Sequence, residues 1–232
     1  MSSENPVINH RFVFFNNIDT SHRFSVKHPN TVTYFKNRAS FVCFLFLSFG
    51  FVDFLFLSGD IGNTSLRYAK AFYEALPFDS ITVAPYMGED SVAPFLSVED
   101  KHTILLALTS NKGAFDFQTQ KIAGKELYKT VIETASSWEH SDRMMYVVGA
   151  TKAAFLSEIR SLIPNSFLLV PGVGAQGGSL EEVYRHGSND QVGLLVNSSR
   201  GIIYASDQKD FASAALDVAQ KIQNQMAKLL TC

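Results

Sequence analysis

At 232 residues the chain suits one large domain; 46% apolar content is ample for a core, and 18% charge is below the soluble average of about 25%. A net charge of -2 leaves no basic footprint for nucleic acid, and two cysteines, Cys43 and Cys232, are too few for a disulfide framework or a metal cluster. The polar start MSSENPVINHR lacks the basic stretch and apolar core of a secretory leader, so a cytoplasmic location is expected.

Phenylalanine is unevenly spread: 12 of the 20 fall within residues 1–58 and 8 in the remaining 174. Residues 1–58 therefore read as a divergent Phe-rich segment with room for strands 1–3, and residues 59–232 as the body of the domain. Within the first segment, 14 of the 17 residues of FVCFLFLSFGFVDFLFL (41–57) are apolar. A membrane span needs about 20 apolar residues. Asp53 inside it would cost about 2.5–3.5 kcal/mol, and no Lys/Arg cluster follows Leu57. The run reads as a buried strand, and no membrane partner is expected.

Beyond residue 60 the chain alternates. Apolar runs occur at SITVAPYMG (80–88), HTILLALTSN (102–111), MMYVVGAT (144–151), SFLLVPGVG (166–174) and VGLLVNSSRG (192–201). Each passes directly into polar, Gly-, Asn- or Ser-bearing residues, and helical patterns fill the gaps. Leu66, Ala69, Tyr73 and Leu76 share one helical face; Leu127, Val131 and Trp138 share another, and Phe155, Ile159 and Leu162 a third before Pro164. Ser179 and Glu182 form a capping box for a short helix ending near Gly187. The last helix carries the stripe Phe211, Ala215, Val218, Ile222 and Leu229.

Continuous apolar strands alternating with helices predict an α/β fold whose parallel sheet is covered by helices. A closed (β/α)8 TIM barrel and an open doubly wound sheet both satisfy that pattern. Five strand units follow residue 80, a sixth ends at Gly59, and the first 40 residues have room for two more, so eight fits the barrel, with strands 1–3 the part open to alteration or loss. In barrels the chemistry sits at the carboxyl ends of the strands, and phosphate is often held after strands seven and eight. Those loops would be PGVGAQGG and NSSRG. The first offers backbone N–H groups, the Gln176 amide and a helix N-terminus; the second offers Arg200, whose guanidinium suits a phosphate. Gly172, Gly174 and Gly177 also match G-x-G-x-x-G, but no acidic residue ends the following strand, which weakens a dinucleotide reading.

The motifs GDIGNTS, VAPYMGEDSVAPFL, LTSNKGAFDFQ, VVGAT, LLVPGVGAQGG and NSSRGIIYAS, in that order, resemble the orotidine 5′-phosphate decarboxylase family, over about residues 59–230. The resemblance implies a (β/α)8 barrel and a homodimer with active sites at the shared interface. It implies decarboxylation of orotidine 5′-monophosphate to uridine 5′-monophosphate, the last step of de novo pyrimidine synthesis, with no metal and no organic cofactor. By the same resemblance Thr64 binds ribose, Ser110 reads the pyrimidine edge, and Gln176 and Arg200 grip phosphate in a pocket shaped by Pro171 and Gly201. Asp60 corresponds to the last member of the catalytic array, reaching into the partner's site. Taken alone, Asp60 reads equally as a helix cap near Thr64, Ser110 as a turn hydroxyl and Arg200 as half of a surface ion pair. Asn111, Lys112 and Gln118 read as ordinary loop residues.

The family's D-x-K-x-x-D core is not matched. Leu55 stands where its first Asp belongs and Leu57 where its catalytic Lys belongs, while Asp53 is at the wrong spacing. Upstream, RFVFFNNIDT and VKHPNTVTYF echo two further strands, which would bring in Asp19 and Lys27. Three readings stay open: an active decarboxylase, a non-catalytic nucleotide- or phosphate-binding barrel, and a decayed or frame-shifted copy of the enzyme.

Overall fold

The computed structural model describes the backbone of residues 53–54 and residues 60–230 other than 77, 175 and 176. Asp19, Lys27, Leu55, Leu57 and Gln176 lie outside the described residues.

Six parallel strands lie side by side: β1 (Asp53–Phe54), β2 (Ser80–Val83), β3 (His102–Leu108), β6 (Met144–Val148), β7 (Leu168–Pro171) and β8 (Leu194–Asn197). A separate hairpin, β4 (Lys121–Ile122) with β5 (Lys125–Glu126), interrupts the series after β3. The helices are α1 (Gly62–Lys70), α2 (Glu89–Leu96), α3 (Leu127–Ser136), α4 (Ala153–Leu162), α5 (Leu180–Gly187), α6 (Ser199–Ile203) and α7 (Phe211–Leu229). Every strand of the large sheet pairs with its successor, and the order never reverses. A doubly wound sheet reverses at a switch point; an unreversed series of βα units is barrel winding. The chain is α/β with a sheet of the barrel type, and five of the strands are those marked by the apolar runs after residue 80.

Those runs are continuous because both faces of the sheet are buried. On β6, Met144, Tyr146 and Val148 pack beneath the helices, while Met145 and Val147 face the interior. On β7 and β8, Leu168, Val170, Leu194 and Val196 lie on the helix side, with Leu169 and Leu195 on the other. The inner cluster gathers Ile104, Met145, Val147 and Leu169, with Leu106, Phe167 and Leu195 against it. A register shift between Leu106 and Leu108 breaks the alternation on β3, so that Ala107 and Leu108 both join the helix-side core.

The helical stripes are shifted from the expected ones. After α1 the chain makes a π-turn at Ala71–Ala75, closed by Leu76 N–H to Ala71 O at 3.0 Å. The extra residue rotates the end of the helix. Ala69, Phe72 and Tyr73 go inward, while Leu66 and Leu76 are exposed. On α3, Tyr128, Ile132 and Ala135 are buried, and Val131 and Trp138 pack at the margin. On α4, Leu156 and Ile159 are buried and flanked by Phe155 and Leu162. Phe211, expected inward, is exposed: α7 buries Ala215, Ala219 and Met226, packing on α5 and α6. Among the described residues no helix is long and apolar enough to cross a membrane.

Candidate functional site

The carboxyl ends of the strands carry most of the candidate residues, and each loop there is held differently. After β1, Asp60 is half-buried. Its Oδ1 accepts the N–H of Ile61 at 2.8 Å, and its carbonyl accepts the hydroxyl of buried Ser65 at 2.5 Å. Asp60 is therefore not the helix cap; Ile61 occupies that position without a side-chain bond. Thr64 lies on the first turn of α1, exposed, its N–H bonded to Ile61 O at 3.2 Å.

After β3, Ser110 is half-buried and lies tight against the end of β6. A Cβ on Gly149 would fall 2.7 Å from both the Cβ and the backbone nitrogen of Ser110, so only glycine allows the two loops this approach. The N–H of Gly149 closes the gap further, donating to Leu108 O at 2.8 Å.

The loop after β7 turns back on itself. Gly172 and Gly174 have φ of +96° and +76°, and Val173 bridges to Gly178. A Cβ on Gly178 would lie 2.4 Å from the Cβ of Ala150, at the end of β6. The N–H groups of Gly172, Gly174, Gly177 and Gly178 donate to Asn197, Gly178, Gly174 and Gly172 carbonyls at 3.1, 3.0, 2.8 and 3.3 Å. These four donors are thus already used, contrary to the expectation that they face a phosphate. The N-terminus of α5 is also unsuited to an anion. Ser179 Oγ accepts Glu182 N–H at 3.2 Å, and Glu181 and Glu182 place carboxylates in the first turn. Gln176, the other candidate in this loop, lies outside the described residues.

Pro171, half-buried, ends β7 opposite Asn197 on β8. Asn197 Oδ1 accepts the N–H and the hydroxyl of Ser199 at 3.1 and 2.8 Å, and buried Ser198 donates from Oγ to Val173 O at 2.8 Å. This tie sets the start of α6, which carries Arg200 and half-buried Gly201. Arg200 is exposed and makes no ion pair with any described residue, so the surface-pair reading finds no support.

Ser110, Gly149, Ala150, Gly178, Val173, Asn197 and Ser198 thus form an unbroken line of contacts along the rim from β3 to β8. Ser110, Pro171 and the Arg200 helix share that rim; Asp60 and Thr64 follow β1 in the chain and are not among these contacts. Sequence reasoning passed over Gly149, Gly178, Asn197 and Ser198, although VVGAT, GVGAQGG and NSS contain them. Among the described residues no group of three or more His, Cys, Asp or Glu could hold a metal ion. An apolar crevice lined by Tyr184, Leu194, Met226 and Leu229 lies between α5, α7 and β8, on the helix side of the sheet and away from these loops.

A family model described as orotidine 5′-phosphate decarboxylase / HUMPS family matches residues 58–215. The orotidine 5′-phosphate decarboxylase of Christiangramia forsetii is 69% identical over 172 residues, covering 74% of this chain and 63% of the relative. That of Flavobacterium johnsoniae is 64% identical over 172 residues, with the same coverage of 74% and 63%. Among solved structures, OMP decarboxylase from Leishmania donovani superposes with a TM-score of 0.70 at 32% identity, covering 80% of this chain and 71% of that one. Orotidine 5′-monophosphate decarboxylase from Methanocaldococcus jannaschii, complexed with the inhibitor BMP, gives 0.57 at 26% identity, covering 72% and 71%. The chain spans 63% of the length of these two curated relatives.

Proposed function

Because the chain belongs to the orotidine 5′-phosphate decarboxylase / HUMPS family, we propose that it carries the nucleotide-binding end of an orotidine 5′-monophosphate decarboxylase and retains the ligand grip better than the chemistry. The observation that carries this reading is the continuous rim from β3 to β8, which sets Ser110 in the line of loops that leads to an exposed Arg200 with no ion-pair partner among the described residues. Ser110 reads the pyrimidine edge, Thr64 the ribose, and Arg200 with Gln176 the phosphate.

Decarboxylation breaks the bond between C6 and the carboxylate and leaves its electron pair on C6, which then takes a proton. A lysine ammonium beside C6 serves both needs, stabilising the charge and supplying the proton. Leu57 stands at that place in the sequence and can do neither, and Leu55 leaves the lysine's supporting carboxylate missing as well. Asp60 remains as one carboxylate of the array. Turnover by the chain as written is therefore weak or absent.

A cytoplasmic homodimer fits the same reading. Tyr86, Phe117 and Tyr204 are 93%, 68% and 77% exposed on loops that follow β2, β3 and β8, so large apolar groups surround the site where a second copy would cover them.

Calorimetric titration with uridine 5′-monophosphate and loss of orotidine 5′-monophosphate absorbance test the two halves separately. Binding without turnover is expected. Robust decarboxylation would overturn the reading of Leu57, and a folded chain that binds no nucleotide would overturn the reading of the rim.

A further inference from the structure

We propose that Gln118 is a positioning residue for Thr109–Asn111, the segment at the end of β3, acting through a one-directional relay of hydrogen bonds that orients the Asn111 amide beside Ser110. The proposal rests on the nucleotide-binding reading above.

Gln118 is far from the rim in sequence terms, beyond the 3-10 turn Lys112–Phe115, yet its side chain folds back onto the end of β3. Its Oε1 accepts the N–H of Thr109 at 2.8 Å, and its Nε2 donates to Thr109 Oγ1 at 2.9 Å. The Thr109 hydroxyl in turn donates to Asn111 Oδ1 at 2.5 Å. The direction follows from the groups themselves. A backbone N–H can only donate, so the Gln118 oxygen must face it, and the amide nitrogen must then face the hydroxyl. The hydroxyl, holding an incoming donor, passes its single proton to the nearer acceptor, Asn111 Oδ1 at 2.5 Å rather than Gln118 Oε1 at 3.2 Å, so Asn111 receives it on oxygen. Its Nδ2 is left on the other side, against Gly113, where a Cβ would come within 3.0 Å of that nitrogen.

The brace has a firm base. The carbonyl of Gln118 accepts the N–H of Tyr128 at 2.9 Å, and Tyr128, in the first turn of α3, is fully buried. The relay therefore runs from the helix-side core, through Gln118 and Thr109, to an exposed amide at the site. Ser110 lies between the two braced residues and against Gly149 on its far side. A pyrimidine edge presents donors and acceptors in a set order, so a fixed amide discriminates where a freely flipping one would not.

Two substitutions separate the parts of the relay. Gln118→Leu removes both contacts to Thr109. Gln118→Glu keeps an acceptor for Thr109 N–H, but a carboxylate cannot donate to Oγ1. The hydroxyl then turns to the carboxylate oxygen that takes the place of Nε2, 2.9 Å away, and Asn111 is released. The full chain and both variants are titrated by calorimetry with uridine 5′-monophosphate and with ribose 5-phosphate, which lacks the base, and exchange of the Thr109 amide is followed. Both variants are expected to weaken uridine 5′-monophosphate about tenfold and ribose 5-phosphate by less than about twofold. Thr109 exchange is expected to rise about tenfold in Gln118→Leu and to stay unchanged in Gln118→Glu. Equal weakening of both ligands, unchanged affinity for uridine 5′-monophosphate, or unchanged exchange in Gln118→Leu overturns the positioning role. An unsubstituted chain that binds neither ligand overturns the nucleotide reading itself, and Thr109 exchange then decides the relay alone.

Discussion

Arg160 grips the carbonyl oxygen of Gly187 with two nitrogens, Nε at 2.9 Å and Nη2 at 2.6 Å. The same guanidinium reaches Ile163 O at 3.0 Å, Ser166 O at 2.6 Å and Gly193 O at 3.0 Å. One side chain from α4 thus ties the end of α5 to the segments that lead into β7 and β8. These bonds lie at the amino ends of the strands, the face of a barrel that carries stability rather than chemistry.

Removing that fork should be costly. Arg160→Leu leaves several half-buried carbonyls unpaired and is expected to lower unfolding free energy by about 2–4 kcal/mol. Arg160→Lys should recover less than half of the loss, because a point-like ammonium cannot serve divergent carbonyls together. Denaturant titration of both variants checks this, and an Arg160→Lys variant as stable as the parent would refute it.

The approach of Gly178 to Ala150 predicts a second result. Gly178→Ala puts a methyl group where the Ala150 methyl already stands, 2.4 Å away, and should destabilise by about 1–3 kcal/mol while displacing the β7 loop. Adding Ala150→Gly should restore part of that loss. The restoration is incomplete because Gly172 O lies 3.0 Å from the same point. A double-mutant cycle by thermal unfolding measures the coupling, and strict additivity would mean that the two loops are not in contact.

Arg200 gives a prediction on ligand charge. Arg200→Ala should weaken uridine 5′-monophosphate by roughly 10–100-fold, the worth of a charge-assisted pair, and leave uridine unaffected. Parallel titrations with the two ligands decide it; equal losses would show that Arg200 holds the loop and not the phosphate.

Acid sensitivity should come from the outer helices. Lys129 donates to Glu158 and pairs with Glu126 at 2.8 Å, and Tyr128 donates to Glu158 at 3.0 Å. Hydrogen bonding from Lys129 holds both carboxyls below their ordinary value of 4.5. A depressed carboxyl pKa contributes stability that is whole above the unfolded value and is lost as pH falls through the folded one. Melting temperatures should therefore drop on acidification below about pH 4.5, and Glu158→Gln should flatten part of that slope. Identical slopes for parent and variant would place the acid response elsewhere.

The strands after residue 80 were legible because burial on both faces leaves continuous apolar runs, such as MMYVV and LLV, that need no partner to be recognised. The helix faces were legible only to within a residue. Leu76 was misplaced because a π-turn cannot be read from apolar spacing, and Phe211 because α7 packs mainly on other helices. At the α5 terminus the pairing of Ser179 with Glu182 is legible in the sequence, and the Glu182 N–H that Ser179 takes up is one fewer for a phosphate. The relay through Gln118 left no sequence signal, since a loop glutamine looks the same whether it braces a strand end or faces water.

The sequence by itself determined the alternation of strands and helices, the family motifs from GDIGNTS onward, and the presence of a leucine at position 57. Residue identity is enough for each of these, because periodicity is local and a leucine cannot supply a proton in any fold. The tertiary structure decided the unreversed strand order, the used-up donors of the glycine loop, and the contacts of Ser110 with Gly149, Gly178 with Ala150 and Gln118 with Thr109. Those depend on distances between strand ends, and only the packing of the sheet brings such groups within hydrogen-bond or van der Waals reach.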